Sequence, residues 1–280
     1  IAPGTYREVV HVDKPGVELR GEGRNPSAVV LVYGNAAANT CGTGCSATLF
    51  VTGRDFVATG MTIANDYAQH SDVPSQAVAV SVRGDRAVFR NVRLLGAQDT
   101  LYAASSGCMK PGAACTTSRQ FDRDCDIEGH VDFIFGDAKA VFDHCEIRSI
   151  PHLAGGYVTA QSNTRPNQDA GYVFNHCRLT ADDGAGKVYL GRPWRDYATV
   201  VFLETEMGAH IQPEGWSAWK SSPTDRLKTA FYAEYRSTGP GASPATREPD
   251  SHQLTAAEAR RYATRTYLRG DDGWNPERVK

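Results

Sequence analysis

Residues 171–181 read GYVFNHCRLTA and residues 140–149 read AVFDHCEIRS. In both, apolar and polar residues alternate, and a phenylalanine is followed three residues on by a cysteine and two further on by Leu179 or Ile147. Alternation at a period of two marks a strand with one buried face. The same frame, Phe-x-x-small-x-aliphatic, recurs as Phe89-x-x-Val92-x-Leu94, Phe202-x-x-Thr205-x-Met207 and Phe56-x-x-Thr59-x-Met61. The segment Phe121 to Ile127 fits with one extra residue, which predicts a bulge.

These phenylalanines recur at intervals between 21 and 33 residues, with no helical pattern between them. Repetition on that scale predicts an all-β solenoid in which each coil buries its inward residues against its neighbours, so that like residues stack in columns. A β-sandwich also has short alternating strands, but its hairpins want tight Asn-Gly or Asp-Gly turns. Only Asp183-Gly184 and Asp272-Gly273 qualify here, so a parallel β-helix is favoured. One helix is predicted late, in TAAEARRYATRTYL (255–268), where Thr255 and Glu258 have capping-box spacing. It is expected to cover one open end of the solenoid.

The chain has 280 residues, 41% of them hydrophobic and 22% charged, with a formal net charge of -2. That size suits one domain spanning 1–280. The charge balance offers no basic footprint for nucleic acid, and no apolar stretch approaches the roughly 20 residues needed to span a bilayer. The chain enters on IAPGTYREVVHV without a starter Met, which predicts a mature or trimmed chain lacking part of its first coil. Cys41/Cys45 and Cys108/Cys115 are close pairs without C-x-x-C spacing or a nearby His, so disulfides in an exported protein are expected over zinc. Cys125, Cys145 and Cys177 fall in the inward column; a Cys125–Cys145 disulfide between adjacent coils is expected, leaving Cys177 as a buried thiol.

Three ionisable groups break the apolar pattern. Asp132 lies within Val131–Phe135, Gln98 and Asp99 precede Leu101-Tyr102, and Arg192 and Trp194 flank a proline after another strand. A structural ion pair accounts for any one of them; three together suggest a divided labour. An Arg beside Asp132 would keep it ionised, while Asp99 beside a negative neighbour would hold its proton. Such a pair serves glycoside or ester cleavage. The amides of Gln98 and Gln76 favour an ester, because neutral donors suit an oxyanion, where one donor contributes about 2.7–4 kcal/mol.

In this order and spacing, QAVAV (76–80), GAQDTLY (96–102), GHVDFIFGDAKAVF (129–142) and YLGRPW (189–194) resemble the pectin methylesterases, and the likeness runs from PGTYREVVHV (3–12) to GWSAW (215–219) and the last helix. The resemblance implies a right-handed parallel β-helix and hydrolysis of galacturonate methyl esters in pectin, outside the cell, by a monomer needing no cofactor and no metal. It implies Asp132 as nucleophile, Asp99 as general acid and then base, Gln98 and Gln76 as oxyanion donors, and Arg192 as the partner of the nucleophile. Trp194 matches an aromatic of the sugar site, Thr43 a substrate contact, and Phe135 and Trp216 further cleft aromatics. An esterase or thioesterase with another acyl substrate is the enzymatic alternative. A non-catalytic polysaccharide-binding β-helix is the other, but Asp132, Asp99 and Arg192 are all present.

His130 stands where plant relatives usually carry Thr, and a structural or subsite role is expected for it. The run Asp122 to Asp126 reads as a solvated face, and Asp143-His144 and Asn175-His176 as turn or face residues rather than ligands. The insertion 105–115 is expected to wall the cleft.

Overall fold

The computed structural model describes residues 1–108 and 114–279. Among the described residues the chain winds through three parallel sheets of eight, seven and nine strands; up to Met207 each coil adds one strand to each sheet in turn, and the last two strands both join the third sheet. This is a parallel β-helix. Strands three apart in sequence are neighbours in space, which puts like residues in columns. Ile63, Leu94, Ile127, Ile147, Leu179 and Met207 are successive partners in the first sheet. In the third sheet Phe142, Phe174 and Phe202 stack with ring centroids 4.6 and 4.5 Å apart. These columns are the core, and burial of such side chains contributes about 1.5–3 kcal/mol each.

The turn from third to first sheet is made by one residue with left-handed backbone. Asn91, Asp124, His144, His176, Glu204 and Arg236 all take φ between 48° and 54°. Asn, Asp and His tolerate that region best among residues with a Cβ. His144 and His176 are thus turn residues, while Asp143 and Asn175 end the strands before them, which fits the expected turn or face placement.

Register corrects two of the expected alignments. Phe89 and Phe142 pair with Asp122, not with Phe121. The strand Arg119–Arg123 is regular, so no bulge is needed: an aspartate occupies the phenylalanine column, and Phe121 packs on the sheet's other face with Val88 and Val141. Asp122 is therefore core and not part of a solvated face. In the earlier coil Ala58 is the partner of Phe89 and Ile63 that of Leu94, so the Phe56 frame is displaced by two residues.

Disulfides join Cys41 to Cys45 and Cys108 to Cys115, whereas Cys125, Cys145 and Cys177 are buried free thiols. The expected Cys125–Cys145 bridge is absent. Parallel neighbours sit about 4.8 Å apart with side chains pointing the same way, and a disulfide wants its Cβ atoms about 3.8 Å apart. Each thiol instead donates to a main-chain carbonyl: Cys125 Sγ to Arg123, Cys145 Sγ to Asp122, and Cys177 Sγ to Phe142.

The C-terminal helix is broken in two. Ala256–Ala259 is α-helical and continues as a 3₁₀ turn, Ala263 is extended, and Thr264–Leu268 forms a second helix. The capping box is present, with Glu258 N–H donating to Thr255 Oγ1 at 3.3 Å. The break lets Ala259, Tyr262, Tyr267 and Leu268 all reach the outer face of the third sheet. The pair therefore covers a flank, not an end. Arg86 and Arg119 then hold the tail through Asp272. Of the insertion expected to wall the cleft, residues 109–113 lie outside the described residues; its described flanks are joined by the Cys108–Cys115 disulfide and do not line the cleft. No described helix is long and apolar enough to cross a membrane.

Candidate active site

A cleft of about 330 Å³ opens on the outer face of the second sheet. Three of four successive coils supply its charged groups, and the coil of strand Gly156–Gln161 lies between those of Asp132 and Arg192. In strand Val131–Gly136 the register slips: Val131 pairs with Tyr157 but Ile134 with Thr159, so Asp132 and Phe133 together oppose Val158. Asp132 takes φ 52° at this bulge. Such a bulge re-aims one side chain. Phe133 turns into the core, fully buried, and Asp132 turns out into the cleft, 6% exposed. This resolves how an acid sits inside an apolar run.

One coil before it, Asp99 repeats the device with φ 65°, and its N–H donates to the carbonyl of Val131 at 3.1 Å. Gln98 bridges to Val131. On the other side, the Arg192 N–H donates to Thr159 O just beyond strand Val188–Gly191. Its side chain reaches back to donate from Nε to Asp132 Oδ1 at 2.9 Å and from Nη2 to Oδ2 at 2.6 Å. Both oxygens of Asp132 are thereby held in a bidentate, charge-assisted contact.

Electrostatics separate the two acids. Burial raises the pKa of Asp132, but the Arg192 hydrogen bonds and charge oppose that rise. Asp99, 8% exposed, is driven well above the carboxylate range by burial first and then by the charge of Asp132, with Arg192 offsetting only part. Both acids are therefore raised, and Asp99 further than Asp132, so of the two Asp99 holds a proton the more strongly.

Gln76, Gln98, Thr43, Phe135 and Trp194 all line the same cleft. Phe135 stacks on Tyr102 at 4.5 Å and faces Trp194 at 6.0 Å, making an aromatic wall. Trp216 does not belong to it. That residue is 1% exposed and stacks inside the helix on Tyr232 at 4.0 Å, bridged through its backbone to Gly191. The outward tryptophan is Trp219, three residues on. The chain from 217 to 219 is in no strand, so no local periodicity in GWSAW separates the two tryptophans.

Sequence reasoning also missed Tyr102 and Tyr157. Tyr102 lies three residues after Asp99 on strand Leu101–Ala103 and lines the cleft. Tyr157 lies under Arg192, and only the register to Val131 reveals it. His130 stacks on His152 at 4.4 Å beside a smaller hollow that shares Gln98 with the cleft. Burial, and then His152, push the His130 pKa down to about 4, so it is neutral over most of the pH range.

A carboxyl held by one cation, a second carboxyl beside it whose pKa is raised further, and two nearby side-chain amides make a set suited to acyl transfer without an external base. The comparisons with known proteins give the family. The pectinesterase family model matches residues 1–271. Pectinesterase 31 of Arabidopsis thaliana is 35% identical over 278 residues, covering 96% of this chain and 81% of its own length. A probable pectinesterase/pectinesterase inhibitor of the same plant, number 17, is 36% identical, and the chain spans only about half (53%) of it. Among solved structures, pectin methylesterase from carrot superposes with a TM-score of 0.85 at 30% identity, covering 97% of this chain and 83% of that one. A pectin methylesterase in complex with a hexasaccharide superposes at 0.79 with 31% identity, covering 98% of this chain and 88% of that one. With a match over nearly its whole length and relatives above 30% identity, this chain belongs to the pectinesterase family, whose members are carboxylic ester hydrolases.

Proposed function

We propose that this chain de-esterifies pectin by an acyl-enzyme route carried by Asp132. The ionised Asp132 attacks the carbonyl carbon of a galacturonate methyl ester. Charge moves to the carbonyl oxygen, where the amides of Gln98 and Gln76 donate to it. As the tetrahedral species collapses, Asp99 gives its proton to the departing methoxide, methanol leaves, and an anhydride joins Asp132 to the uronate. Asp99, now a carboxylate, takes a proton from water as that water attacks the anhydride, and Asp132 is released. Trp194, Phe135 and Thr43 offer the surface for the sugar ring.

The observation that carries the proposal is the asymmetry of the two carboxyls: Arg192 binds both oxygens of Asp132 and none of Asp99. The aromatic wall favours a pyranose over other acyl substrates. The same reading puts the protein outside the cell, where its two disulfides persist. Its test is methanol release from highly methylated pectin, with Asp132→Asn beside the unmodified chain. Asparagine keeps the shape but cannot form the anhydride, so a loss of about a thousandfold or more in kcat is expected with circular dichroism unchanged. A folded unmodified chain that releases no methanol would refute the pectin reading.

A further inference from the structure

Arg192 makes a second set of contacts that the reaction above does not use. Its guanidinium carbon lies 3.9 Å from the centroid of the Tyr157 ring and 4.4 Å from that of Trp219. Asp132 occupies the edge that carries Nε and Nη2, and the cation lies over both rings. Trp219 lines the cleft; Tyr157 does not. Tyr157 comes from strand Gly156–Gln161, where it is the partner of Val131, the residue before the nucleophile, and of Tyr189, whose ring stacks on it at 5.7 Å. The outer face of the second sheet thus presents a fixed aromatic floor under the cation.

We propose that Tyr157 is a positioning residue for ester hydrolysis: its ring pins one face of Arg192 so that the guanidinium stays in its two-point contact with Asp132. The inference rests on the acyl-enzyme reading above. A guanidinium is bound through its edges by hydrogen bonds and through its faces by π clouds, and it loses rotational freedom only when both are engaged. Without the floor, water reaches that face and the side chain swings. Asp132 then loses its donors for part of the time, and its proton affinity rises. Tyr157 touches no substrate in this scheme, so its loss acts through Asp132 alone.

The test compares Tyr157→Leu with Tyr157→Phe, measuring kcat and KM for methanol release across pH together with thermal stability. For Tyr157→Leu the acidic limb of kcat/KM is expected to move up by about half a pH unit or more, with kcat down about threefold to tenfold below neutrality and KM within about twofold. Tyr157→Phe keeps the ring and should keep the wild-type limb. A residue that merely stabilises the sheet would lower the melting temperature and leave the limb in place, and that result overturns the proposal. So does a Phe variant that behaves like Leu, because the hydroxyl would then be the active part. Should Tyr157→Leu fail to fold, Tyr157→Phe with increasingly fluorinated rings keeps the shape and weakens the π face; a limb that does not move along that series refutes the idea. One readout needs no turnover. The Arg192 Nε–H resonance, shifted by the carboxylate contact, should move towards the free value in Tyr157→Leu but not in Tyr157→Phe. An unmodified chain without esterase activity would refute the catalytic reading, while this resonance still reports whether Tyr157 holds Arg192.

Discussion

Asp122 and Asp132 are ten residues apart, both lie in strands, and both are almost completely buried, at 2% and 6% exposure. One faces the inside of the helix and the other the cleft. Asp132 has both oxygens on Arg192. Asp122 has an Oδ1 with no hydrogen-bond partner, sits between Phe89 and Phe142, and is pushed up to about 8 by burial alone. The first acid has a cation on both its oxygens; the second has none and lies in an aromatic column. Apolar sequence around an acid therefore identifies a site only when something answers the charge.

Removing that answer should make Asp132 resemble Asp122. In Arg192→Leu the buried carboxylate loses its cation, and breaking such a pair costs about 3–5 kcal/mol unless the acid takes up a proton. The expected result is a loss of about a thousandfold in kcat/KM at neutral pH, with the acidic limb of the profile displaced upward. Pectin assays from acidic to alkaline pH check this; a variant retaining its limb would mean that the cation does not control the nucleophile.

The converse test concerns stability. The folded pKa of Asp122 is raised, so its favourable contribution is complete below the unfolded value of about 3.9 and is lost as pH rises through about 8. Asp122→Asn cannot ionise and should remove that slope. Between pH 5 and 8 the melting temperature of the unmodified chain should fall relative to the variant by on the order of 5 °C, with pectin activity unaffected. Parallel melting curves for the two proteins would mean that Asp122 has a partner or water that burial conceals.

Much of this was readable beforehand, and the failures share one cause. Period-two alternation and the Phe-x-x-Cys frame at 142 and 174 reported the columns directly, because a solenoid repeats its pairing in sequence. Asp132, Asp99, Arg192, Gln98 and Gln76 were found because their chemistry is written in residue type, and the structure brings all five to one cleft. Register was not written there. Aligning on Phe121 put the aspartate on the wrong face, and a one-residue error reverses every side chain. Tyr157 and Trp219 matter through what lies beside them in the next coil, which no local pattern contains. The thiols at 125 and 145 were paired by column membership, but each is free and donates to a main-chain carbonyl instead.

The two tryptophans of GWSAW repeat the inside–outside contrast on a smaller scale. Trp216 is packed between Phe202 and Tyr232 in the core, and its Nε1 has no hydrogen-bond partner. Trp219 lies over Arg192 at the cleft. Trp216→Phe keeps an aromatic in the stack and deletes an unsatisfied donor while leaving a modest void, so the two effects partly offset. A destabilisation of about 1 kcal/mol is expected, seen as a drop of roughly 2–4 °C in melting temperature with kcat and KM on pectin unchanged. If Trp216→Phe instead raised KM while leaving the melting temperature alone, the tryptophan would be acting as the cleft aromatic that its sequence position suggested, and the assignment of the outward role to Trp219 would fail.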